Sequence, residues 1–291
     1  TGVQNAEGYN YFGSVVERIK DYISNKFSAH RVSTGFPGLD APMNGGLGKG
    51  ELGLIIAPPK SGKSTTLVQL GVNSLKMKKK VFYFSLELSR SMIARKFDTC
   101  LTGMTIEAIK KDPRLADKRI HEAGKLGELN ILAFPTKRLT LPQMKAVVEY
   151  HGGCDVILVD YADLLKPKAR REDRRFELTD LYENLRGLAG ELQIPIWTAS
   201  QSNRMSVGSR VLGIDSVAED FNKVAIVDIA ITVNQTREEI IGHRLRYIVV
   251  GSRIGESNVV VECSADWKTS SVIEVQEDFN GRHTNGTGPA H

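Results

Sequence analysis

Apolar residues in this chain gather in short continuous runs, and amphipathic stretches separate those runs. The runs at 52–56 and 155–160 are typical of strands buried on both faces of a parallel sheet. Apolar positions three and four residues apart predict helices in several of the intervening segments. Strands and helices alternate up to about residue 200, and strands dominate after it. The pattern therefore predicts an α/β fold with a mainly parallel twisted sheet, flanking helices and antiparallel edge strands.

Each predicted element has a clear range in the pattern. The predicted strands cover 52–56, 81–86, 130–134, 155–160, 194–199, 224–233, 245–250 and 259–263. The predicted helices cover 11–27, 65–75, 89–101, 141–151 and 176–192, and the segment 102–128 is expected to be helical in part. Ser89 is the expected N-cap of its helix.

The pattern also divides the chain into three parts. Residues 1–30 form an N-terminal segment whose amphipathic helix packs either on its own domain or on a neighbouring subunit. Residues 31–277 form the main domain. Residues 278–291 are low in apolar content, and we expect a disordered tail there.

Composition narrows the class of protein. The chain has 291 residues and a net charge of +5, which suits a polyanionic partner. Its three cysteines are scattered, which predicts reduced thiols and neither a disulfide frame nor a zinc site. No run approaches the roughly 18 apolar residues of a membrane span, and no signal peptide is recognisable. The chain does not begin with Met, which is compatible with a fragment of a longer protein.

The segment 57–65 has the features of a phosphate-binding loop, because it lies between a predicted strand and a predicted helix. Gly62 lets the backbone approach phosphates, Lys63 can reach the β and γ phosphates, and the Ser64 hydroxyl can hold Mg²⁺. Ala57 replaces the first glycine of the usual pattern G-x-x-x-x-G-K-[ST]. The predicted nucleotide-binding residues are Ala57, Pro58, Pro59, Lys60, Ser61, Gly62, Lys63, Ser64 and Thr65.

Three further polar residues follow predicted strands and should lie near this loop. Glu87, Asp160 and Gln201 each end a strand, and the carboxyl ends of parallel strands meet at one edge of a sheet. Hydrolysis of a phosphate anhydride needs a cation, a metal-holding acid, a carboxylate to activate water and a polar sensor. The sequence therefore predicts a site that hydrolyses a phosphate anhydride of a triphosphate with Mg²⁺.

Six motifs in a fixed order strengthen this interpretation. They are STGFPGLD, APPKSGKS, FYFSLELS, VILVDYADLL, TASQSNR and VVGSRIGES. In this order they resemble the RecA-like motor domain of replicative hexameric DNA helicases, the DnaB-like family, from about residue 33 to 267. The family's N-terminal collar domain, which engages primase, has no counterpart here. The resemblance therefore implies a motor fragment or a reduced architecture of the phage type, with 11–27 as the linker helix.

The resemblance implies a role for each matching position. Lys63 and Ser64 match the lysine and hydroxyl of the phosphate loop, and Asp160 matches the acid that helps to hold Mg²⁺. The remaining implied catalytic residues are Glu87 as the carboxylate that activates water, Gln201 as the sensor and Arg253 as the arginine finger offered to a neighbouring subunit.

One position departs from the family pattern. A lysine commonly stands two residues before the arginine finger, and Gly251 occupies that place here. Either the second cation is missing or Lys268, Arg244 or Arg246 replaces it.

The family's DNA-contacting loops correspond here to 166–175 and 202–222. Cations on such loops follow a DNA backbone without reading bases. The candidate DNA contacts are Arg170, Arg171, Arg174, Arg204 and Arg210.

The resemblance implies a ring-forming, ATP-driven helicase that moves on single-stranded DNA during replication. Implied partners are other copies in a hexameric ring and a primase or helicase loader, in a bacterial cytoplasm or a phage-infected cell. A RecA/RadA- or KaiC-like assembly or switch without unwinding activity is the alternative. A phosphate-loop kinase has less support, because no lid-like arginine cluster is recognisable.

Overall fold

The computed structural model describes residues 10–23, 30–125, 127–169, 173–202, 221–277 and 283–285. These residues form one sheet of ten strands in the order β10-β9-β8-β7-β6-β1-β5-β4-β2-β3. The strands are β1 Leu52–Ala57, β2 Lys80–Ser85, β3 Glu128–Ala133, β4 Val156–Asp160, β5 Ile196–Gln201, β6 Ile229–Asn234, β7 Arg244–Ser252, β8 Val260–Asp266, β9 Ser271–Glu277 and β10 His283–Asn285.

The sheet has a parallel part and an antiparallel part. Strands β3, β2, β4, β5, β1 and β6 pair in parallel, and β7 to β10 continue the sheet as antiparallel strands. The predicted fold class, a mainly parallel sheet with antiparallel edge strands, is therefore confirmed.

Helices cover both faces of the sheet because the parallel strands are apolar on both sides. Within β1, Ile55 joins one core with Leu67 of the following helix, while Leu54 joins the other core with Leu185. The described helices are α1 Val15–Ile23, α2 Lys63–Lys76, α3 Arg90–Thr102, α4 Ile106–Lys111, α5 Pro113–Gly124, α6 Leu141–Tyr150, α7 Arg174–Leu192, α8 Phe221–Ile226 and α9 Arg237–Ile241, with single helical turns at Pro37–Asp40, Ala41–Met43 and Ala162–Leu164.

Helix ends agree with their capping chemistry. The Ser89 side chain accepts a hydrogen bond from the Met92 backbone N–H at 3.4 Å, so the predicted cap of α3 is confirmed. Helix α1 begins at Val15, later than the predicted start at residue 11. The apolar side chains of α1 and of the turn before it stay exposed, with Phe12 at 84% and Ile23 at 81%. Among the described residues, nothing covers this apolar face.

The predicted strand at 224–233 is wrong in its first half. Residues Phe221–Ile226 form α8, and strand β6 begins only at Ile229. Asp228 lies before the strand, where its carboxylate accepts a hydrogen bond from the Leu52 N–H at 2.9 Å. It also pairs with the Arg186 guanidinium at 2.8 Å. This carboxylate joins the start of β1 to α7. These contacts explain why a charged residue interrupts the apolar run at 224–233.

The structure adds elements that the pattern did not predict. Strand β9 and helix α9 are new, and three residues of the predicted tail form β10 beside β9. The rest of 278–291 lies outside the described residues, so the tail stays a prediction. Cys100, Cys154 and Cys263 are free. No described helix is long and apolar enough to cross a membrane.

Candidate functional site

The loop between β1 and α2 has the geometry of an anion cradle. Lys60 has a φ of 62° and Gly62 a φ of 99°, and these left-handed residues turn the backbone sharply into the helix. The Ser61 hydroxyl donates to the Pro58 carbonyl at 2.6 Å and tightens the loop. Helix α2 starts at Lys63, so its first N–H groups face the cradle.

Lys63 is buried in this cradle, with an exposed fraction of 8%. Its ammonium nitrogen lies 4.6 Å from the centroid of the Tyr161 ring. Tyr161 directly follows β4, so the lysine reaches from the loop toward the end of that strand. The contact holds the cation in place at low exposure.

Asp160 at the end of β4 is fully buried, and one of its oxygens has a clear role. Its Oδ2 accepts a hydrogen bond from the Tyr83 hydroxyl at 2.8 Å. Its Oδ1 is buried and makes no hydrogen bond within the described part of the chain. Burial raises the pKa of this carboxyl, while interactions with the Ser64 and Tyr83 hydroxyls and with Lys63 act in the opposite direction. An unsatisfied carboxylate oxygen beside a serine hydroxyl fits a hydrated divalent cation.

A Mg²⁺ ion at this site would need ligands from the phosphates of a nucleotide as well as from the protein. No group of three or more His, Cys, Asp or Glu side chains among the described residues could hold a metal ion. Ser64 and Asp160 could supply one hydroxyl and one carboxylate. Mg²⁺ is usually bound in this way, by one or two protein oxygens together with substrate phosphates and water.

Glu87 and Gln201 lie at the same edge of the sheet as the loop. Glu87 follows β2 and is exposed. Ser85 at the end of β2 pairs with Asp160 at the end of β4, and Glu87 lies two residues beyond Ser85. Burial and then the negative charge of Glu87 raise the pKa of Tyr161, which agrees with this position. Gln201 is paired directly opposite Ala57 across β5 and β1. The structure thus brings the predicted cation, metal acid, water-activating carboxylate and sensor to one edge.

Lys96 also belongs to this region, although the sequence analysis did not identify it. Its ammonium group donates to the Thr65 hydroxyl at 3.3 Å. Burial lowers its pKa, and the charge of Asp160 opposes that shift. Its only signal in the sequence is a position two helical turns after the Ser89 cap, on a face that also carries apolar residues.

A second buried cluster lies beside the site and also escaped the sequence analysis. The Lys223 ammonium group donates to the Asp163 carboxylate at 3.0 Å and to the Ser200 hydroxyl at 2.6 Å. The Tyr182 hydroxyl donates to the other oxygen of Asp163 at 2.7 Å. We call these four residues the Asp163 network. It joins the end of β4, the end of β5, α7 and α8, so only the folded chain reveals it.

Arg253 lies at the opposite end of the sheet from Lys63. Its guanidinium donates to the Ala225 carbonyl and its N–H to the Asp228 carbonyl. Ser252, the residue before it, pairs with Ile229 of β6. Ile229 in turn pairs with Gly53, near the start of β1. The phosphate loop follows the end of β1, about 13 Å further along at about 3.3 Å per residue. Arg253 therefore does not belong to the site of its own chain.

The position of the expected second cation is closely packed. A Cβ on Gly251 would lie 2.7 Å from Val224 Cγ1, so a lysine there would need the neighbour to move. Arg244 and Arg246 lie in the first half of β7, and Arg246 pairs with Glu239 at 2.7 Å. Lys268 lies in the turn after β8. All three cations therefore lie at one end of the antiparallel strands, and Arg253 lies at the other end. This separation favours the interpretation that the second cation is missing.

Of the candidate DNA contacts, only one is among the described residues. Arg174 is exposed at the first position of α7. The others, Arg170, Arg171, Arg204 and Arg210, lie outside the described residues.

Comparison with known proteins agrees with this geometry. Residues 31–210 match the family model of the DnaB-like helicase C-terminal domain. The replicative DNA helicase DnaB of Haemophilus influenzae is 28% identical over 215 residues, which cover 70% of this chain and 45% of that protein. The chain thus spans about half the length of the curated relatives it matches.

Two solved structures share the fold. One is an isolated ATPase domain, which superposes with a TM-score of 0.77 at 17% identity, covering 93% of this chain and 100% of that one. The other is a DnaB-like replicative helicase, described with its interactions with primase. It superposes with a TM-score of 0.75 at 17% identity, and the match covers 91% of this chain and 67% of that chain.

Proposed function

The chain belongs to the family of DnaB-like helicase C-terminal domains, and we propose that it is an ATP-driven motor that moves on single-stranded DNA and unwinds duplex during replication. One observation carries the proposal. Buried Lys63, the unsatisfied oxygen of buried Asp160 and exposed Glu87 meet at the edge of the sheet where the phosphate loop lies. This set of groups suits ATP hydrolysis with Mg²⁺.

Each residue has a task in that reaction. Lys63 binds the β and γ phosphates, and the backbone N–H groups of residues 60–65 surround them. Ser64 and Asp160 hold Mg²⁺, which neutralises charge on the phosphates when it is bound. Glu87 is exposed at the end of β2 and orients the attacking water as its base.

Two residues connect the site to its surroundings. Gln201 lies opposite Ala57 and senses whether the γ phosphate is present. Arg253 lies at the far end of the sheet, so it completes the site of a neighbouring copy and stabilises charge in the transition state there. The neighbours form a hexameric ring, and the exposed apolar face of α1 docks on an adjacent subunit.

Single-stranded DNA is the polyanion that the net charge of +5 suits. Arg174 begins α7 at the exposed end of the loop that follows β4, and it contacts DNA phosphates together with Arg170, Arg171, Arg204 and Arg210. A primase or a helicase loader is the expected protein partner. The expected location is the cytoplasm of a bacterium or of a phage-infected cell. The alternative, an ATP-gated switch without unwinding activity, receives no support from the comparisons.

The role of Glu87 can be tested by Glu87→Gln, which keeps the shape of the side chain and removes its charge. We expect unchanged ATP binding and a loss of turnover of about 100-fold or more, because the attacking water loses its base. Glu128→Gln is the matched control, since this exposed acid lies at the other end of the sheet. Hydrolysis at the wild-type rate in Glu87→Gln would remove this residue from the mechanism.

The shared site can be tested by mixing two inactive variants. Lys63→Ala subunits keep Arg253, and Arg253→Ala subunits keep the phosphate loop. A mixture should regain part of the DNA-stimulated ATPase activity, because some interfaces then contain both residues. No recovery at any ratio would contradict a site shared between subunits. Strand separation on forked DNA by the wild-type protein distinguishes a helicase from a switch.

A further inference from the structure

The turn between β8 and β9 lies directly against the phosphate loop. A Cβ on Gly62 would lie 3.0 Å from both Cη2 and Cζ3 of Trp267, so the edge of the indole ring touches the loop backbone. The rest of the side chain packs beside the core and remains partly exposed. A large aromatic ring thus borders the cradle without filling it.

Hydrogen bonds hold this turn in a fixed position. The Asp266 carboxylate accepts from the Lys268 N–H at 2.9 Å and from the Thr269 hydroxyl at 2.9 Å. The Val272 N–H then donates to the Gln69 side chain at 3.0 Å, and Gln69 belongs to α2. Because α2 is the helix that begins with Lys63, this hydrogen bond attaches the turn to the element that forms the cradle.

A second contact fixes the same antiparallel strands to α2. The hydroxyls of Thr66 and Tyr247 are 3.0 Å apart, and both side chains are buried. Trp267 is therefore placed by the helix of the phosphate loop itself, which is the kind of support that a binding residue needs.

The order of strands tells which part of a nucleotide Trp267 would meet. Asp160 ends β4 on one side of β1, and the turn after β8 lies on the other side. The metal and the γ phosphate belong on the Asp160 side. The nucleoside of the same molecule must then leave the cradle on the side of Trp267.

We propose that Trp267 forms the wall of the nucleotide site that contacts the base of the bound nucleoside triphosphate by ring stacking. The proposal rests on the proposed function and names the base-contacting residue of that same site. An indole face stacks on any nucleobase, because every base has a π face, and such stacking contributes about ten-fold or more in affinity. Phosphate alone gains nothing from this contact.

The test compares a ligand that has a base with one that has none. Binding of ATP and of inorganic tripolyphosphate, both with Mg²⁺, is measured by calorimetry on the full chain. Trp267→Leu should weaken ATP about ten-fold and tripolyphosphate less than two-fold. Trp267→Phe, which keeps an aromatic ring, should recover most of the ATP affinity. Lys268→Leu is the control for a change in the turn that leaves the ring intact.

Fluorescence gives a second, independent readout. The chain has only two tryptophans, and Trp197 is buried with an exposed fraction of 2%. ATP should change the emission of the wild-type protein, tripolyphosphate should not, and Trp267→Phe should lose the change.

Three results would overturn the proposal. Equal weakening of both ligands in Trp267→Leu would mean that the ring only supports the loop. Unchanged ATP affinity would mean that it touches no ligand. A wild-type protein that binds neither ligand would overturn the proposed function as well, which separates that failure from the first two.

Discussion

Asp160 ends β4 and Asp163 lies in the helical turn directly after it, and the two side chains have different surroundings. Both carboxylates are buried, and each accepts a hydrogen bond from a buried tyrosine, Tyr83 at 2.8 Å and Tyr182 at 2.7 Å. Asp163 also has the Lys223 ammonium group at 3.0 Å. Asp160 instead keeps an oxygen that makes no hydrogen bond among the described residues.

The difference separates a carboxylate that holds the fold together from one that is kept for a ligand. A buried charge with a cation and two hydroxyls around it is satisfied within the protein, and removing one partner leaves the other uncompensated. A buried charge with an open oxygen weakens the folded state until something binds there. In this chain the closed carboxylate braces β4, β5, α7 and α8, while the open one faces the phosphate loop.

The largest effect on stability is expected at the closed carboxylate. Asp163→Ala removes the carboxylate that accepts from the Lys223 ammonium group and from the Ser200 and Tyr182 hydroxyls, so the free energy of unfolding should fall by about 3–5 kcal/mol. Urea unfolding of the variant and the wild-type protein measures this. In the double variant with Lys223→Met, both charges are absent, and the loss should be smaller than in Asp163→Ala alone. A loss below about 1 kcal/mol in the single variant would show that the buried pair of Asp163 and Lys223 contributes little to the stability of the fold.

At the open carboxylate, the expected effect moves from stability to turnover. Asp160→Asn removes the charge that we propose holds Mg²⁺, so ATP hydrolysis should fall about 100-fold, which is about 2.7 kcal/mol. The free energy of unfolding without nucleotide should stay within about 1 kcal/mol of the wild-type value or rise, because burial raises the pKa of this carboxyl and disfavours its charged form. A large loss of stability would place Asp160 in the same class as Asp163.

The two tyrosines offer the smallest and best-matched contrast. Tyr83→Phe removes the hydroxyl that orients Asp160, so the affinity for Mg²⁺ in the presence of ATP should fall about ten-fold. Tyr182→Phe removes the hydroxyl on Asp163, so the free energy of unfolding should fall by about 1–2 kcal/mol with little change in Mg²⁺ affinity. Calorimetry with Mg²⁺ and urea unfolding measure the two effects. If both variants lose the same property, the distinction between the carboxylates fails.

The sequence predicts the parallel core well because each strand there is a self-contained apolar run. Local chemistry also identifies the loop at 57–65 and the Ser89 cap, since both depend on neighbouring residues. The prediction for the apolar run at 224–233 is wrong in part because a short run does not distinguish a strand from a buried helix. What divides it is Asp228, through contacts with Leu52 and Arg186 that are distant in the sequence.

The residues that the sequence analysis missed have the same explanation. Lys96, Trp267 and Lys223 each acquire a role only through a partner far away along the chain: Thr65, Gly62 and Asp163, respectively. Spacing rules cannot find such pairs, because the rules describe one element at a time. Positions at strand ends, such as Asp160, can be found from the sequence because topology brings those ends together.

The position of Arg253 makes the two ends of the sheet chemically different. The chain offers an arginine at one end of its sheet and a phosphate loop at the other, so it carries two different, complementary ends. Two copies related by a two-fold axis could exchange these ends only with each other, and the assembly would close at two subunits. Copies stacked head to tail in a cyclic arrangement would join unlike ends at each interface. Such an assembly has two distinguishable faces, and a strand threaded through its centre would meet one face first.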